Sequence, residues 1–186
     1  MTISHIWVQV KLCHRSGSVI KAALGGKLPG ASLPTPGTTK FPEPFYTPIA
    51  GGLNSGFAAR PLFYGMMLAG QLAGAIMVET KLDTGGANVT AYAARAAGKL
   101  RVAIFNKDLT RAVQVNLVAG RAGQQARLWR LAAPPPDSTE GVTLTGAEAG
   151  NDGRWQPARG EGIGRRENGY PISLPPGSAA LVFLDD

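Results

Sequence analysis

The chain has 186 residues, 44% of them apolar, with 25 glycines, 14 prolines and a formal net charge of +7. That length fits one ordinary domain, alone or with an appendage, and the Gly/Pro content favours many turns over long helices. A single cysteine excludes an intrachain disulfide, and with His5 and His14 as the only histidines the soft ligands are too few for zinc, so neither a metal nor a cofactor is expected.

The positive charge suggests nucleic acid until it is mapped. Lys11, Arg15, Lys21, Lys27 and Lys40 face Glu43 alone at the N-terminal end, which accounts for more than half of the surplus. Downstream, basic and acidic residues alternate, and Arg165-Arg166 is the only dense pair. This is the pattern of solvated loops and sheet faces, and no nucleic-acid partner is expected. Met1 to Val10 has no basic stretch leading into an apolar run, so no signal peptide is read there and the compartment stays unassigned.

Taken in order, Met1 to Leu12 fits a short strand. Residues 13–44 have no period and are broken by Gly25-Gly26, Pro29-Gly30, Pro34, Pro36-Gly37, Pro42 and Pro44. Cys13 and His14 are sequence neighbours that do not aim at one point, so they form no catalytic pair. Residues 1–44 are therefore read as an irregular Pro/Gly-rich segment.

Phe45 to Ile49 is short and aromatic, with Thr47 held extended by Pro48. A loop follows through Gly51-Gly52 and Asn54-Ser55-Gly56, and Pro61 suits the first turn of a helix. Residues 61–77 carry one strongly polar side chain, Gln71, which predicts a helix that is apolar all round and therefore buried. Gly70 and Gly74 form a GxxxG pair, but the run sits at the short end of the ~20 residues a membrane span needs and is diluted by glycine and alanine. A buried helix whose glycines allow close approach to a sheet is the expectation, and a membrane partner is not.

From Ile76 the period falls to two. Strands are predicted over Met77–Asp83, Asn88–Ala96, Leu100–Phe105, Ala112–Val118, Ala126–Leu131, Val142–Leu144, Tyr170–Leu174 and Ala179–Leu184, separated by Gly, Pro and Asn-Lys-Asp turns. About eight short strands at such spacing predict an antiparallel β-sandwich.

Glycoside hydrolysis needs two carboxyl groups facing each other at ~5–10 Å, one of them with a raised pKa. None of the carboxylates after residue 44 sits in an apolar run. Glu79 and Asp83 share the polar face of their strand, Gly160 to Gly164 lacks the strand and helix that give a phosphate loop its meaning, and Asn151-Asp152-Gly153 reads as a turn. No catalytic residue is assigned. Among the aromatics, Trp129 alternates within a strand and suits a core or interface, whereas Trp155 lies in a polar segment and is a candidate sugar-stacking ring.

The ordered motifs YTPI, RPLFYGMML, LRVAIFNKD, AVQVNL, VTLTGA, DGRWQP and LPPGSAALVFL resemble the C-terminal part of glycoside hydrolase family 79, the β-glucuronidase and heparanase-like retaining enzymes, from about Tyr46 to Leu184. The resemblance implies a (β/α)8 barrel with a C-terminal β-sandwich. Residues 45–76 would be the last barrel loop and helix, with Tyr46 at the sugar-binding end, and residues 77–186 the sandwich domain. The family's catalytic glutamates lie upstream of everything matched. The expectation is thus a non-catalytic sandwich domain, a truncated fragment inactive alone, whose partners are the missing barrel or a carbohydrate. Two other readings stay open: a stand-alone carbohydrate-binding module using Tyr46 or Trp155, and a protein that associates through residues 61–77 with a partner or a membrane.

Overall fold

A computed structural model of the chain describes residues 4–11, 48–52, 56–120, 123–135, 138 and 140–185. Its elements in order are β1 (Ser4–Lys11), β2 (Ile49–Gly52), β3 (Gly56–Ala59), α1 (Pro61–Gly70), β4 (Ile76–Asp83), β5 (Val89–Ala96), β6 (Lys99–Asn106), β7 (Val113–Ala119), β8 (Gln125–Ala132), β9 (Thr143–Leu144), β10 (Glu161–Gly164), β11 (Tyr170–Leu174) and β12 (Ser178–Asp185). Ten strands form one path, β10-β8-β12-β6-β5-β4-β1-β7-β11, with β9 on β8. All pairings are antiparallel except β1 with β7.

The path folds into two layers because β4 serves both. Its first residues, Ile76 to Val78, pair with β5, while Glu79 to Asp83 pair with β1. One layer holds β10, β8, β12, β6, β5 and the start of β4. The other holds the end of β4, β1, β7 and β11. This is the antiparallel β-sandwich with one helix that the turn-separated pattern predicts. The eight predicted strands are all present. Ser4–Lys11 is the short strand expected over Met1–Leu12, and one further strand, Glu161–Gly164, was hidden by its two glycines.

Between the layers, Leu100, Val102 and Ile104 of β6 and Ala180, Val182 and Leu184 of β12 meet Val113, Val115 and Leu117 of β7 and Tyr170, Ile172 and Leu174 of β11. In β7 and β11 buried and open positions alternate, as expected for strands with one face in the core. β6 and β12 differ. Ala103, Ala179 and Leu181, on their other face, are also fully or almost fully buried. The continuous apolar runs of these strands follow from cover on both sides, and the second cover is α1.

α1 is shorter than predicted. Apolar periodicity extends to residue 77, but the helix ends at Gly70 and the chain turns through i→i+3 bonds from Gln71, Leu72 and Ala73 before Gly74 adopts φ +70°. Glycine takes that left-handed geometry without steric penalty, and β4 begins two residues later. The expectation that glycines bring the helix close to the sheet is corrected: a Cβ built on Gly65, Gly70 or Gly74 meets nothing within 4 Å. The loop predicted before the helix includes a paired hairpin, β2–β3. There Gly51 has no room for a side chain, because a Cβ would lie 2.0 Å from the Gly56 carbonyl oxygen.

One buried polar residue ties three turns together. Asn106, 2% exposed, donates through Nδ2 to the carbonyls of Arg111 (2.8 Å), Pro175 (2.8 Å) and Leu174 (3.3 Å), and its Oδ1 accepts from the Asp108 N–H at 3.2 Å. A buried amide with its donors and acceptor engaged fixes loop positions that apolar packing alone leaves free.

Candidate functional site

The outer face of the six-strand layer gathers charged, aromatic and apolar side chains. Strand alternation sets it up. Arg101, Ala103 and Phe105 of β6, Ala179, Leu181 and Phe183 of β12, and Arg127, Trp129 and Leu131 of β8 all project to this side. α1 lies across part of it and buries Tyr64 and Leu68 against Ala103, Val142, Leu144, Ala179 and Leu181.

Polar contacts fix the helix at both ends of this contact. The Tyr64 hydroxyl accepts a hydrogen bond from the Ala149 N–H at 2.8 Å. Beyond the C-terminus, the Arg101 guanidinium donates to the Gln71 carbonyl and sits 5.9 Å from the centroid of the Phe183 ring.

Trp155, a candidate from the sequence, is half-buried in this cluster. It meets Trp129 edge-on at 5.6 Å, and Trp129 in turn meets Phe183 at 5.1 Å. The Trp155 indole N–H is buried with no hydrogen-bond partner among the described residues. Tyr46, the other candidate, lies outside the described residues. Residue 160 must be glycine here: a Cβ would come within 2.7 Å of Arg127 Cγ and 2.8 Å of Trp129 Cδ1.

The carboxylates take part in structural contacts. Glu161 forms a forked pair with Arg130 (2.7 and 3.3 Å), and Arg130 also donates to the Ser173 carbonyl at 2.5 Å. Asp152 caps its own turn through the Arg154 N–H at 3.0 Å, with Gly153 at φ +76°, as predicted for Asn151-Asp152-Gly153. Glu79 and Asp83 are exposed on β4. Asp108 accepts from the Thr110 N–H, the Thr110 hydroxyl and the Arg111 N–H, each at 2.9 Å. The Thr110 backbone bond is the largest cause holding its carboxyl below the ordinary carboxylate value, followed by the Thr110 hydroxyl. On the other side of the sandwich, Tyr170 donates its hydroxyl to the Gly123 carbonyl, and burial raises its pKa.

Among the described residues no group of three His, Cys, Asp or Glu side chains is placed to hold a metal, and no helix is long and apolar enough to cross a membrane. Sequence reasoning missed the alignment of Arg101, Phe183 and Arg127 in one row. The two-sided apolar runs in LRVAIF and ALVFL carried its trace, since they require a covered outer face.

No protein-family model matches the chain, and no curated protein is significantly similar to it. Solved structures do share its fold. The chain is similar to the GH51 arabinofuranosidase from Xanthomonas axonopodis pv. citri, at 18% identity and a TM-score of 0.55 over 74% of this chain and 28% of that one. It is also similar to the thermostable GH51 α-L-arabinofuranosidase from Thermotoga petrophila RKU-1, at 15% identity and a TM-score of 0.53 over 69% of this chain and 30% of that one. At such identity the likeness is one of fold. The chain shares the fold of part of these two enzymes and spans less than a third of their length.

Proposed function

We propose that the chain is the non-catalytic β-sandwich part of a β-glucuronidase-like retaining glycoside hydrolase, inactive alone, which braces a (β/α)8 barrel through α1. The observation that carries this reading is the fold shared with glycoside hydrolases over a minor part of their length. The helix adds support. Leu62 and Met66, four residues apart on one stripe of α1, are 46% and 57% exposed, while Tyr64 and Leu68 are buried on the sandwich. Phe57 on the adjoining hairpin and Ile76 just past the helix are 46% and 56% exposed. Large apolar side chains gathered on one side of a helix suit a second packed layer. The sugar follows from the motifs that resemble family 79.

The test is hydrolysis of a chromogenic β-glucuronide by the full chain, with and without a family 79 barrel supplied in trans, beside an α-L-arabinofuranoside as the competing substrate. The chain alone is expected to turn over neither, and the β-glucuronide is expected to be cleaved only when the barrel is present and bound. Turnover by the chain alone would overturn the non-catalytic role. Failure to bind the barrel would overturn the bracing role, and cleavage of the arabinofuranoside by a barrel from the arabinofuranosidases, paired with this chain, would move the assignment to that class.

A further inference from the structure

We propose that the row Arg101–Phe183–Arg127 on the outer face of the six-strand layer is a binding site for a carboxylate- or sulfate-bearing glycan. The three residues are brought together by register. Phe183 of β12 pairs with Arg101 of β6 on one side and with Arg127 of β8 on the other. Neighbouring strands are about 4.8 Å apart, so the two arginine Cα atoms stand roughly 10 Å from each other with one aromatic ring between them.

Among the described residues neither arginine is paired with an acid; the ion pairs there include Lys99 with Asp185, Arg111 with Asp108, Arg130 with Glu161 and Arg154 with Asp152. Asp185, one step further along this face of β12, is engaged by Lys99 at 3.4 Å. Two positive charges flanking one ring, with the nearby Asp185 engaged by Lys99, leave a local field that favours an oxyanion.

The two arginines have different parts. Arg101 is fixed by the Gln71 carbonyl and by Phe183, and its Nε is closed to solvent without a hydrogen-bond partner among the described residues. It supplies a preset charge. Arg127 is exposed, with its stem laid against Gly160, and its guanidinium is the fork that an oxyanion reaches. Beyond it, Gly162 pairs with Arg127 and offers an exposed shelf with no side chain. Phe183, Trp129 and Trp155 form the apolar wall on which the C–H face of a sugar ring rests. An acidic glycan joins both requirements, a flat apolar face and a pendant oxyanion. The choice of a glycan over other polyanions rests on the glycoside-hydrolase reading above. The binding test does not depend on hydrolysis, so each can fail without the other.

The experiment is calorimetric titration of the full chain at physiological salt with a glucuronate oligomer, heparin, inorganic sulfate, a neutral glucan of matched length and single-stranded DNA of matched charge. Variants Arg127→Gln and Arg127→Lys are compared with Arg166→Gln, which removes the same charge from an exposed position elsewhere, and all are checked for unchanged melting. The expected result is binding of an acidic glycan, weakened roughly tenfold or more in Arg127→Gln, less in Arg127→Lys, and little in Arg166→Gln. The glucuronate and heparin arms tell carboxylate from sulfate. Equal binding of the neutral glucan, equal loss in Arg127→Gln and Arg166→Gln, binding of DNA as tight as that of the acidic glycans, or sulfate alone binding as well as the oligomers would each overturn the site.

Discussion

The hydroxyl of Tyr64 accepts the backbone N–H of Ala149 at 2.8 Å, a bond that joins α1 to the loop after β9 across 85 positions of sequence. Its ring is 2% exposed, and Leu68, one turn on, is fully buried beside it. These two side chains dock the helix. Tyr64→Phe keeps the ring and strands the Ala149 N–H, which is expected to lower stability by about 1 kcal/mol. Leu68→Ala opens a cavity and is expected to lower it by about 2–5 kcal/mol. Thermal melts of both variants check the order, and a larger loss in Tyr64→Phe than in Leu68→Ala would show that the helix is held by polar contacts.

A stabilising substitution is available at the β5–β6 hairpin. Ala97 and Gly98 have φ of 47° and 73°, the geometry of a two-residue turn with both central residues left-handed. Asn-Gly suits this turn better than Ala-Gly, because asparagine tolerates the left-handed region. Ala97 is exposed and packs against nothing that would be lost. Ala97→Asn is expected to raise stability by about 0.5 kcal/mol, read as a melting point higher by about a degree or two.

Asn106 offers a test with a pH signature. Asn106→Ala removes a donor shared by the carbonyls of Arg111, Leu174 and Pro175, and is expected to destabilise by about 2–3 kcal/mol. Asn106→Asp keeps the shape but directs a carboxylate at those three oxygens. Its destabilisation is expected to be larger at neutral pH than in acid, where the side chain is protonated and again donates. Urea unfolding at the two pH values decides it.

Asp108 links acid stability to a turn. Its folded pKa lies below the ordinary value, chiefly through the Thr110 N–H bond, so its ionised form favours the folded state. The sign is that of a depressed carboxylate: the contribution is complete above the unfolded value of about 4 and is lost as pH falls through the lower folded value. The stability gap between wild type and Asp108→Asn is expected to be present at about pH 6 and to close in acid below that folded value. A gap independent of pH would assign the turn to hydrogen-bond geometry alone.

The exposed stripe of α1 gives a solubility prediction. Leu62→Glu and Met66→Glu are expected to leave melting of the chain unchanged, since both side chains already face outward, and to reduce self-association in light scattering. Under the proposed function the same pair abolishes capture of the barrel.

The strands were legible where one face is wet, because alternation in AVQVNLV, MVETKLD and YPISL states the burial pattern directly. The helix was legible from Pro61 and the apolar run, but its end was not. The apolar count continues past Gly70, and only the left-handed geometry of Gly74 shows where the chain turns. β10 escaped notice because Glu161-Gly162-Ile163-Gly164 has a single apolar side chain, and its pairing with β8 supplies what its own propensity lacks. The candidate site was the least legible part. Trp155 was visible as a lone ring in a polar segment, yet its contact with Trp129, and the row from Arg101 through Phe183 to Arg127, come from the β6–β12–β8 register, which joins distant parts of the chain.

The divided pairing of β4 sets an order on folding. Its neighbour β5 follows at once, and β6 after that, so the β4–β5–β6 meander closes from local contacts. The second half of β4 needs β1, and Ser4 of β1 has its parallel partner in Val113. The four-strand layer is therefore expected to assemble late, with its loop-closure entropy met only after the six-strand layer has a framework to receive it. Amide hydrogen exchange is expected to rank the two layers accordingly, with slow exchange along β6 and β12 and earlier opening along β1.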